Sequence, residues 1–277
     1  MNQSTLDQTA SQLKLGKVRY EEKVTSTNDL AAEWAAQGAP HLSLIAADHQ
    51  NAGRGRGGRV WYTPPDSALA FSLLLRPDAA PEDLGRFSGL GALAVCAALQ
   101  DLGLDPRIKW PNDVLLAGKK VCGVLPEAIW MGSTLQAVIL GIGVNLKSTA
   151  YPKDIPLLFP ATSVEEVLER PVEPAGFLQA VLAQLITWYD RINSAAFIDA
   201  WERNLAFLGD VVEIIQGEQA SSSGRLAGLD KTGRLVLEVS GAGRQAFSAS
   251  EIHLRPKVDS PGNSTTLNPE AEEQTDE

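Results

Sequence analysis

The sequence predicts an α+β fold, a mixed or antiparallel sheet flanked by helices, followed by a small antiparallel β-barrel. Three observations lead there. Apolar runs of strand length at 42–47 and 68–75 read as buried strands, and 135–145 as another strand. Two longer stretches, 81–103 and 174–192, carry apolar residues at helical spacing. From about residue 206 the pattern changes to short strands separated by turn residues.

The elements follow in order. Residues 1–15 are polar and read as a loose N-terminal segment, and 17–24 is a first strand. Ser26 then offers an N-cap with Asp29 in the first turn. Leu30 and Trp34 lie four apart on one face, and Gly38 stops that helix. In 81–103, Phe87, Leu90, Ala94, Ala97 and Ala98 share a face and Gly103 is the stop. Pro111 excludes a helix from 107–116, Asn112 and Asp113 favour a turn, and Gly118 marks a hairpin into a strand over 119–129. Gly141 and Gly143 weaken the strand 135–145, which points to close approach by a ligand. A proline-rich connection (152–160), a short capped helix (163–169) and an amphipathic helix (174–192, with Phe177, Val181, Leu185 and Trp188 inward) precede a last helix at 194–204. Short strands are expected at 211–215, 223–229, 234–239 and 245–248, with 230–233 as a turn. The chain thus divides into a loose segment 1–15, a main domain 16–205, a C-terminal domain 206–256 and a disordered acidic tail 257–277.

Composition narrows the function. Hydrophobic content of 44% and charged content of 21% are those of a globular protein, and no apolar run approaches the ~18 residues of a membrane span. The first ten residues lack the basic and apolar regions of a signal peptide. Only two cysteines, Cys96 and Cys122, are present, which fits a reducing cytoplasm and buried thiols. The three histidines lack metal-ligand spacing, so no protein zinc site is expected. Net charge is −10, half of it in the tail 257–277 with its six acidic residues and one lysine. An acidic chain binds DNA phosphates poorly, so neither DNA nor a membrane is an expected partner.

Against that background the stretch 50–61 stands out. Between Gly53 and Arg59 it holds four glycines and three arginines with no acidic residue. Glycine lets backbone approach an anion closely, and the arginine fork pairs with carboxylate or phosphate. Such a loop buries little apolar surface, so it is expected to be mobile until a ligand neutralises it. A plain RG segment has the same composition, but apolar runs on both sides place this one between core strands, where charged loops are usually sites.

Five motifs in this order, Ser26-Thr27-Asn28, Gly53-Arg54-Gly55-Arg56-x-Gly58-Arg59-x-Trp61, Lys109-Trp110-Pro111-Asn112-Asp113, Lys120-Val121-Cys122-Gly123-Val124-Leu125-Pro126-Glu127 and Gly141-Ile142-Gly143-Val144-Asn145, resemble those of the biotin protein ligases, also called biotin–acetyl-CoA-carboxylase ligases. The likeness covers about residues 17–255. It implies a class II synthetase-like catalytic domain of the biotin/lipoate ligase type and an SH3-like C-terminal barrel. Some family members carry an N-terminal helix-turn-helix. Only about 16 residues precede the first strand here, so no repressor role is expected. Two departures stand out. Pro126 sits on a strand, which is expected to be irregular there, and residue 57 is Gly where a larger residue is common.

The resemblance implies a two-step reaction with ATP and biotin as substrates and Mg²⁺ on the phosphates. Biotin's carboxylate attacks the α-phosphorus, giving biotinyl-5′-AMP and pyrophosphate. A lysine of a biotin carboxyl carrier protein then attacks the adenylate. By resemblance Lys120 and Arg56 are the catalytic cations. Ser26, Thr27, Asn28, Gln50, Gly53, Arg54, Gly55, Lys120, Gly123, Leu125, Gly141 and Gly143 would hold biotin. Arg54, Arg56, Arg59, Trp61, Lys109, Asn112, Asp113 and Asn145 would serve ATP, with Trp61 beside the adenine and Asp113 a candidate for Mg²⁺. The resemblance also admits a homodimer through an edge strand. Plainer readings remain open: helix capping for 26–28, a simple turn for Asn112-Asp113, an exposed strand lysine for Lys120. Rival functions are a lipoate or octanoate ligase, a nucleic-acid module using the RG loop and the barrel, and a ligase-like protein that only senses biotin.

Overall fold

The computed structural model describes residues 1–77, 84–155, 157, 159–216, 219–248 and 252–256. The expected disordered tail, 257–277, and the expected helix start at 81 lie outside them.

The order of elements is α1 (Gln3–Leu13), β1 (Val18–Val24), α2 (Thr27–Ala36), β2 (Ser43–Gln50), β3 (Ala68–Leu75), α3 (Arg86–Asp101), β4 (Arg107–Lys109), β5 (Asp113–Leu116), β6 (Lys119–Met131), β7 (Thr134–Asn145), α4 (Val164–Leu168), α5 (Pro174–Tyr189), α6 (Ala195–Arg203), and then β8 (Val211–Gln216), β9 (Gln219–Leu229), β10 (Leu235–Val239), β11 (Gly243–Phe247) and β12 (Ile252–Pro256). Strands β1 to β7 form one sheet in the order β1-β2-β3-β7-β6-β5-β4. Only β1 and β2 are parallel; the other pairs are antiparallel, so the sheet is mixed as expected.

The sheet has two unlike faces. On one, α3 and α5 cover Leu73, Phe71, Leu69, Leu140, Ile142 and Val144 and form the main core with Phe87, Leu90, Phe177 and Leu185. On the other, α2 covers only one end, where Ala31, Trp34 and Ala35 pack on Ile45, Leu74, Ala137 and Ile139. Side chains alternate along a strand. The same stripe therefore continues past the helix as Ser72, Ala70 and Ala68 on β3, paired with Gly141, Gly143 and Asn145 on β7. Small residues take over where the helix stops, and the uncovered stripe is the floor of a cleft.

Four expectations change. Residues 3–13 are a helix, not a loose segment. Asn2 caps it through a reciprocal box with Thr5, and Leu6 is buried. Pro126 does not disturb β6, whose register with β7 shifts only between Ile129 and Trp130. Val124 donates its N–H to Asn112 on the β5 side. Pro126 has the same parity and β5 pairs no further than Gly123, so its missing N–H falls where no ladder exists. The C-terminal strands, in the order β11-β10-β9-β8-β12, include the unforeseen β12, and among the described residues β11 and β12 do not pair, so the closed barrel expected from the sequence is not seen. Finally, Ser26 precedes α2 without a side-chain cap bond. Gln50 Oε1 accepts the Thr27 N–H instead, at 2.9 Å.

Cys96 on α3 and Cys122 on β6 are both fully buried and free, and burial pushes both thiols up in pKa.

Candidate active site

A cleft of about 750 Å³ opens on the uncovered stripe. Every residue expected at the site lines it except Gly53. Gly53 instead closes the arginine loop from behind: its carbonyl accepts the Trp61 N–H at 2.9 Å, and a Cβ there would collide with the Trp61 carbonyl.

The floor charges meet at Asp113, the first residue of β5. Its carboxylate lies 2.6 Å from Lys120 Nζ and 3.8 Å from Lys109 Nζ, with all three side chains largely out of solvent. Lys120 reaches this face because of a bulge. The β5–β6 register shifts between Val114 and Leu115, placing one extra residue on β6 between Lys120 and Cys122. Lys120 thereby falls in phase with Gly123, and its Nζ lies 3.4 Å from where a Gly123 Cβ would stand. Burial pushes the Asp113 carboxyl up, but Lys120, Lys109 and Arg59 outweigh it and hold its pKa below the ordinary value. The Lys109 ammonium also sits 4.8 Å from the Phe159 ring centroid.

The arginine loop is a narrow hairpin. Besides the Gly53–Trp61 bond, Gly55 N–H donates to Arg59 O at 2.7 Å, and a short 3-10 turn at Arg56–Gly58 forms the tip. Gly57 and Gly58 take φ of 63° and 73° there, so glycine at 57 suits the turn. This main-chain order was not readable from composition. Arg54 pairs with Asp29 of α2 at 2.6 Å and Glu127 of β6 at 3.2 Å, tying the loop to the sheet. Arg56 turns inward and donates to Asn112 Oδ1 at 3.2 Å, while Asn112 Nδ2 donates to the Val124 carbonyl at 2.8 Å. Burial lowers the Arg56 pKa and Asp113 partly offsets that. Arg59 Nε donates to the Arg56 carbonyl at 2.9 Å.

The other end is neutral and polar. Gln50 bridges the start of α2 to Thr63, and Ser72 Oγ lies 2.7 Å from Thr27 Oγ1 and 2.6 Å from Asn28 Oδ1. Asn28 Nδ2 donates to Glu127 at 2.6 Å. The strand glycines are explained by protein atoms. A Cβ at Gly141 would run into the Asn28 amide, and one at Gly143 into the Trp61 indole, which also passes over Gly123. Trp61 Nε1 is buried with no hydrogen-bond partner, and Lys120 Nζ stands 5.6 Å from the Trp61 ring centroid. Asn145 spends its amide on the Thr162 carbonyl, holding the returning connection.

Sequence reasoning missed the far wall. Tyr151, Ile155, Leu157 and Phe159 come from the connection after β7, and Ile215 and Leu254 from the C-terminal sheet. Glu127 was quoted in a motif but given no role. No group of three or more His, Cys, Asp or Glu side chains is arranged to hold a metal among the described residues. Both Asp113 oxygens already face lysines.

Residues 20–145 match the family described as biotin/lipoate A/B protein ligase. The biotin–[acetyl-CoA-carboxylase] ligase of Paracoccus denitrificans is 36% identical over 238 residues, covering 83% of this chain and 97% of that protein. The chain belongs to the biotin/lipoate A/B protein ligase family. It is an enzyme of the ligase class. Within the family, the bifunctional ligase/repressor BirA of Bacillus subtilis is 32% identical over 236 residues, covering 83% of this chain and 72% of its own. Among solved ligase structures, the biotin protein ligase of Aquifex aeolicus in complex with biotin and ATP superposes with a TM-score of 0.74 at 28% identity, covering 87% of this chain and 99% of that one. No helix among the described residues is long and apolar enough to cross a membrane.

Proposed function

We propose that the chain joins biotin to ATP, forming biotinyl-5′-AMP and pyrophosphate, and then passes the biotinyl group to a lysine of a biotin carboxyl carrier protein, releasing AMP. The observation that carries this reading is the convergence of Lys120, Lys109 and Arg56 on one cleft whose opposite end is neutral and glycine-lined. Relatives bearing the name biotin–[acetyl-CoA-carboxylase] ligase support it, as does the likeness to a structure holding biotin and ATP.

In the first step an oxygen of biotin's carboxylate bonds to the α-phosphorus and the bond to the departing pyrophosphate breaks. The barrier is the approach of one anion to another, so preorganised cations are the main requirement. Lys120 receives the carboxylate, exchanging its Asp113 contact for the substrate's. Arg56 from the loop and Lys109 from the floor offset phosphate charge, with Asn112 holding Arg56 in place. Ser26, Thr27, Asn28 and Gln50 serve the neutral ureido ring, and Gly123, Leu125 and Gly141 leave room for the bicycle and its chain. Trp61, Arg59 and Asn145 shape the nucleotide side. In the second step the carrier's amine bonds to the acyl carbon and the bond to AMP breaks. Arg54, Gly53 and Gly55 act by shaping the hairpin that shields the adenylate from water. Magnesium would be carried by the nucleotide phosphates and would offset their charge; among the described residues no cluster makes a site of its own for it. The small C-terminal sheet is read as SH3-like, walling the cleft through Ile215 and Leu254. The reaction is read as cytoplasmic, and the acidic balance of the chain makes DNA a poor partner.

The test is biotin-dependent exchange of labelled pyrophosphate into ATP. Exchange with biotin and none with lipoate is expected; exchange with lipoate alone would move the chain to the lipoate branch. Arg56→Ala is expected to release biotinyl-AMP into solution, and normal retention with normal carrier labelling would remove the shielding role.

A further inference from the structure

We propose that Trp110 is a positioning residue, through which the C-terminal sheet holds the 109–113 turn in register for ATP. The proposal rests on the ligase reading for its ligand and on geometry for the rest.

Trp110 lines the cleft between Lys109 and Pro111, yet only 2% of it is exposed, and its polar atom is spent on the C-terminal sheet rather than offered to the cleft. Its Nε1 donates to the Gly233 carbonyl at 3.0 Å, in a buried bond between residues 123 positions apart. Gly233 ends the turn between β9 and β10, and that turn is built to be stiff. Asp230 Oδ1 accepts from Thr232 N, Thr232 Oγ1 and Arg234 N at 2.9, 2.8 and 3.0 Å. The main domain grips it elsewhere too. Arg86 Nη2 donates to the Lys231 carbonyl at 2.7 Å, and the Trp201 ring lies so close that a Cβ on Gly233 would sit 2.5 Å from it. The turn is therefore a fixed point, and Trp110 is the side chain that joins it to the 109–113 turn.

What hangs from that joint is the triphosphate side of the cleft. Lys109 carries one ammonium of the floor and Asn112 holds Arg56. On the sheet side the turn is fixed by Asn112 to Val124; on the outer side the main chain of Ile108 exchanges bonds with Asn204 and Ala206 at 2.7 and 2.8 Å. Trp110 supplies the tie at the middle. At the neutral end Thr27, Asn28, Gln50 and Gly141 sit on α2, β2 and β7, away from this turn, and Gly123 and Leu125 on β6 are held independently by the β6–β7 ladder. A loss of registry at Trp110 therefore separates ATP from biotin, because a small displacement of charged groups weakens phosphate contacts and leaves the other end intact.

The experiment uses the full chain with Trp110→Phe, which keeps an aromatic ring and removes the donor, and Asp230→Ala, which loosens the turn from the other side without touching the cleft. In pyrophosphate exchange, each variant is expected to raise the KM for ATP ~10-fold while the KM for biotin stays within ~2-fold, the size of effect one lost buried hydrogen bond allows. The double variant should do no more than the larger single, because both act through one joint. Unchanged ATP KM in Trp110→Phe, or equal losses toward both substrates, overturns the proposal. If the unaltered protein shows no exchange, the ligase reading fails separately, and amide hydrogen exchange decides the joint. Trp110→Phe must then speed exchange across residues 108–116, and unaltered protection there overturns it.

Discussion

The cleft carries two different kinds of cation. At the floor, Lys120 and Lys109 share Asp113 on neighbouring strands, largely removed from water. At the mouth, Arg54 pairs with Asp29 and Glu127 on surfaces about 40% exposed, and the hairpin it anchors brings Arg56 over the floor. The floor charges are compensated inside the protein, where removing one partner strands another in low dielectric. The mouth charges are compensated in water-accessible positions, where a pair contributes little to folding. Stability and activity should therefore separate: floor substitutions change both, mouth substitutions mainly activity.

Four experiments press on that contrast. The largest effect is expected from Lys120→Ala, which leaves Asp113 its second partner but removes the cation proposed to receive biotin's carboxylate. Pyrophosphate exchange should fall on the order of 100- to 1,000-fold, the usual loss for a preorganised electrostatic contact; a fall under tenfold would return Lys120 to an ordinary strand lysine. Asp113→Asn comes next, with an expected stability loss of about 3 kcal/mol in denaturant unfolding, because two ammonium groups then face each other. The sign with pH follows from the depressed carboxyl. Asp113's contribution is complete above the ordinary carboxylate range and is lost as pH falls through the lower folded value. The difference between the native protein and Asp113→Asn should be flat from about pH 5 to 8 and shrink below about pH 4; a difference that grows on acidification would reverse the assignment. Third, Gly143→Ala pushes a methyl into the Trp61 indole, and about 1 to 3 kcal/mol of stability should go with it. The smallest effect on folding is expected from Arg54→Ala, under about 1 kcal/mol given its exposure, with biotinyl-AMP retention reduced. If Arg54→Ala destabilised as much as Asp113→Asn, floor and mouth would not differ as argued.

Much of this architecture was legible because local signals agreed. The run Ala68–Leu75 is apolar apart from Ser72, and the strand has those same bounds, every residue buried. The Asp230–Gly233 turn and Gly118 declared themselves by residue type. The helix α1 did not, because of its eleven residues only Leu6 and Thr9 are buried; its signal was the Asn2–Thr5 cap. Strand β12 alternates Ile, His, Leu and Arg before Pro256, too short a run to read beside a polar tail. At the site, motif residues converge on one cleft, but their partners were hidden. Nothing in sequence pairs Asp113 with two lysines, sets Gln50 as the cap of α2, or brings Ile215 and Leu254 to the wall. Those facts depend on contacts across the main sheet and between the two sheets. The glycines at 141 and 143 were expected to admit a ligand, whereas the atoms approaching them in this structure belong to Asn28 and Trp61.

The two buried thiols give the molecule a pair of native clocks. Neither Cys96 nor Cys122 offers a thiolate to solvent while the fold is closed, so alkylation must wait for the chain to open around each. Cys96 lies in the middle of α3 and Cys122 two residues from Lys120. Mass spectrometry after a timed pulse of reagent would read the two positions separately, with no label engineered in. Equal rates would mean that β6 opens only when the whole core does, and a faster Cys122 would mean that the cleft is built on a patch that breathes independently.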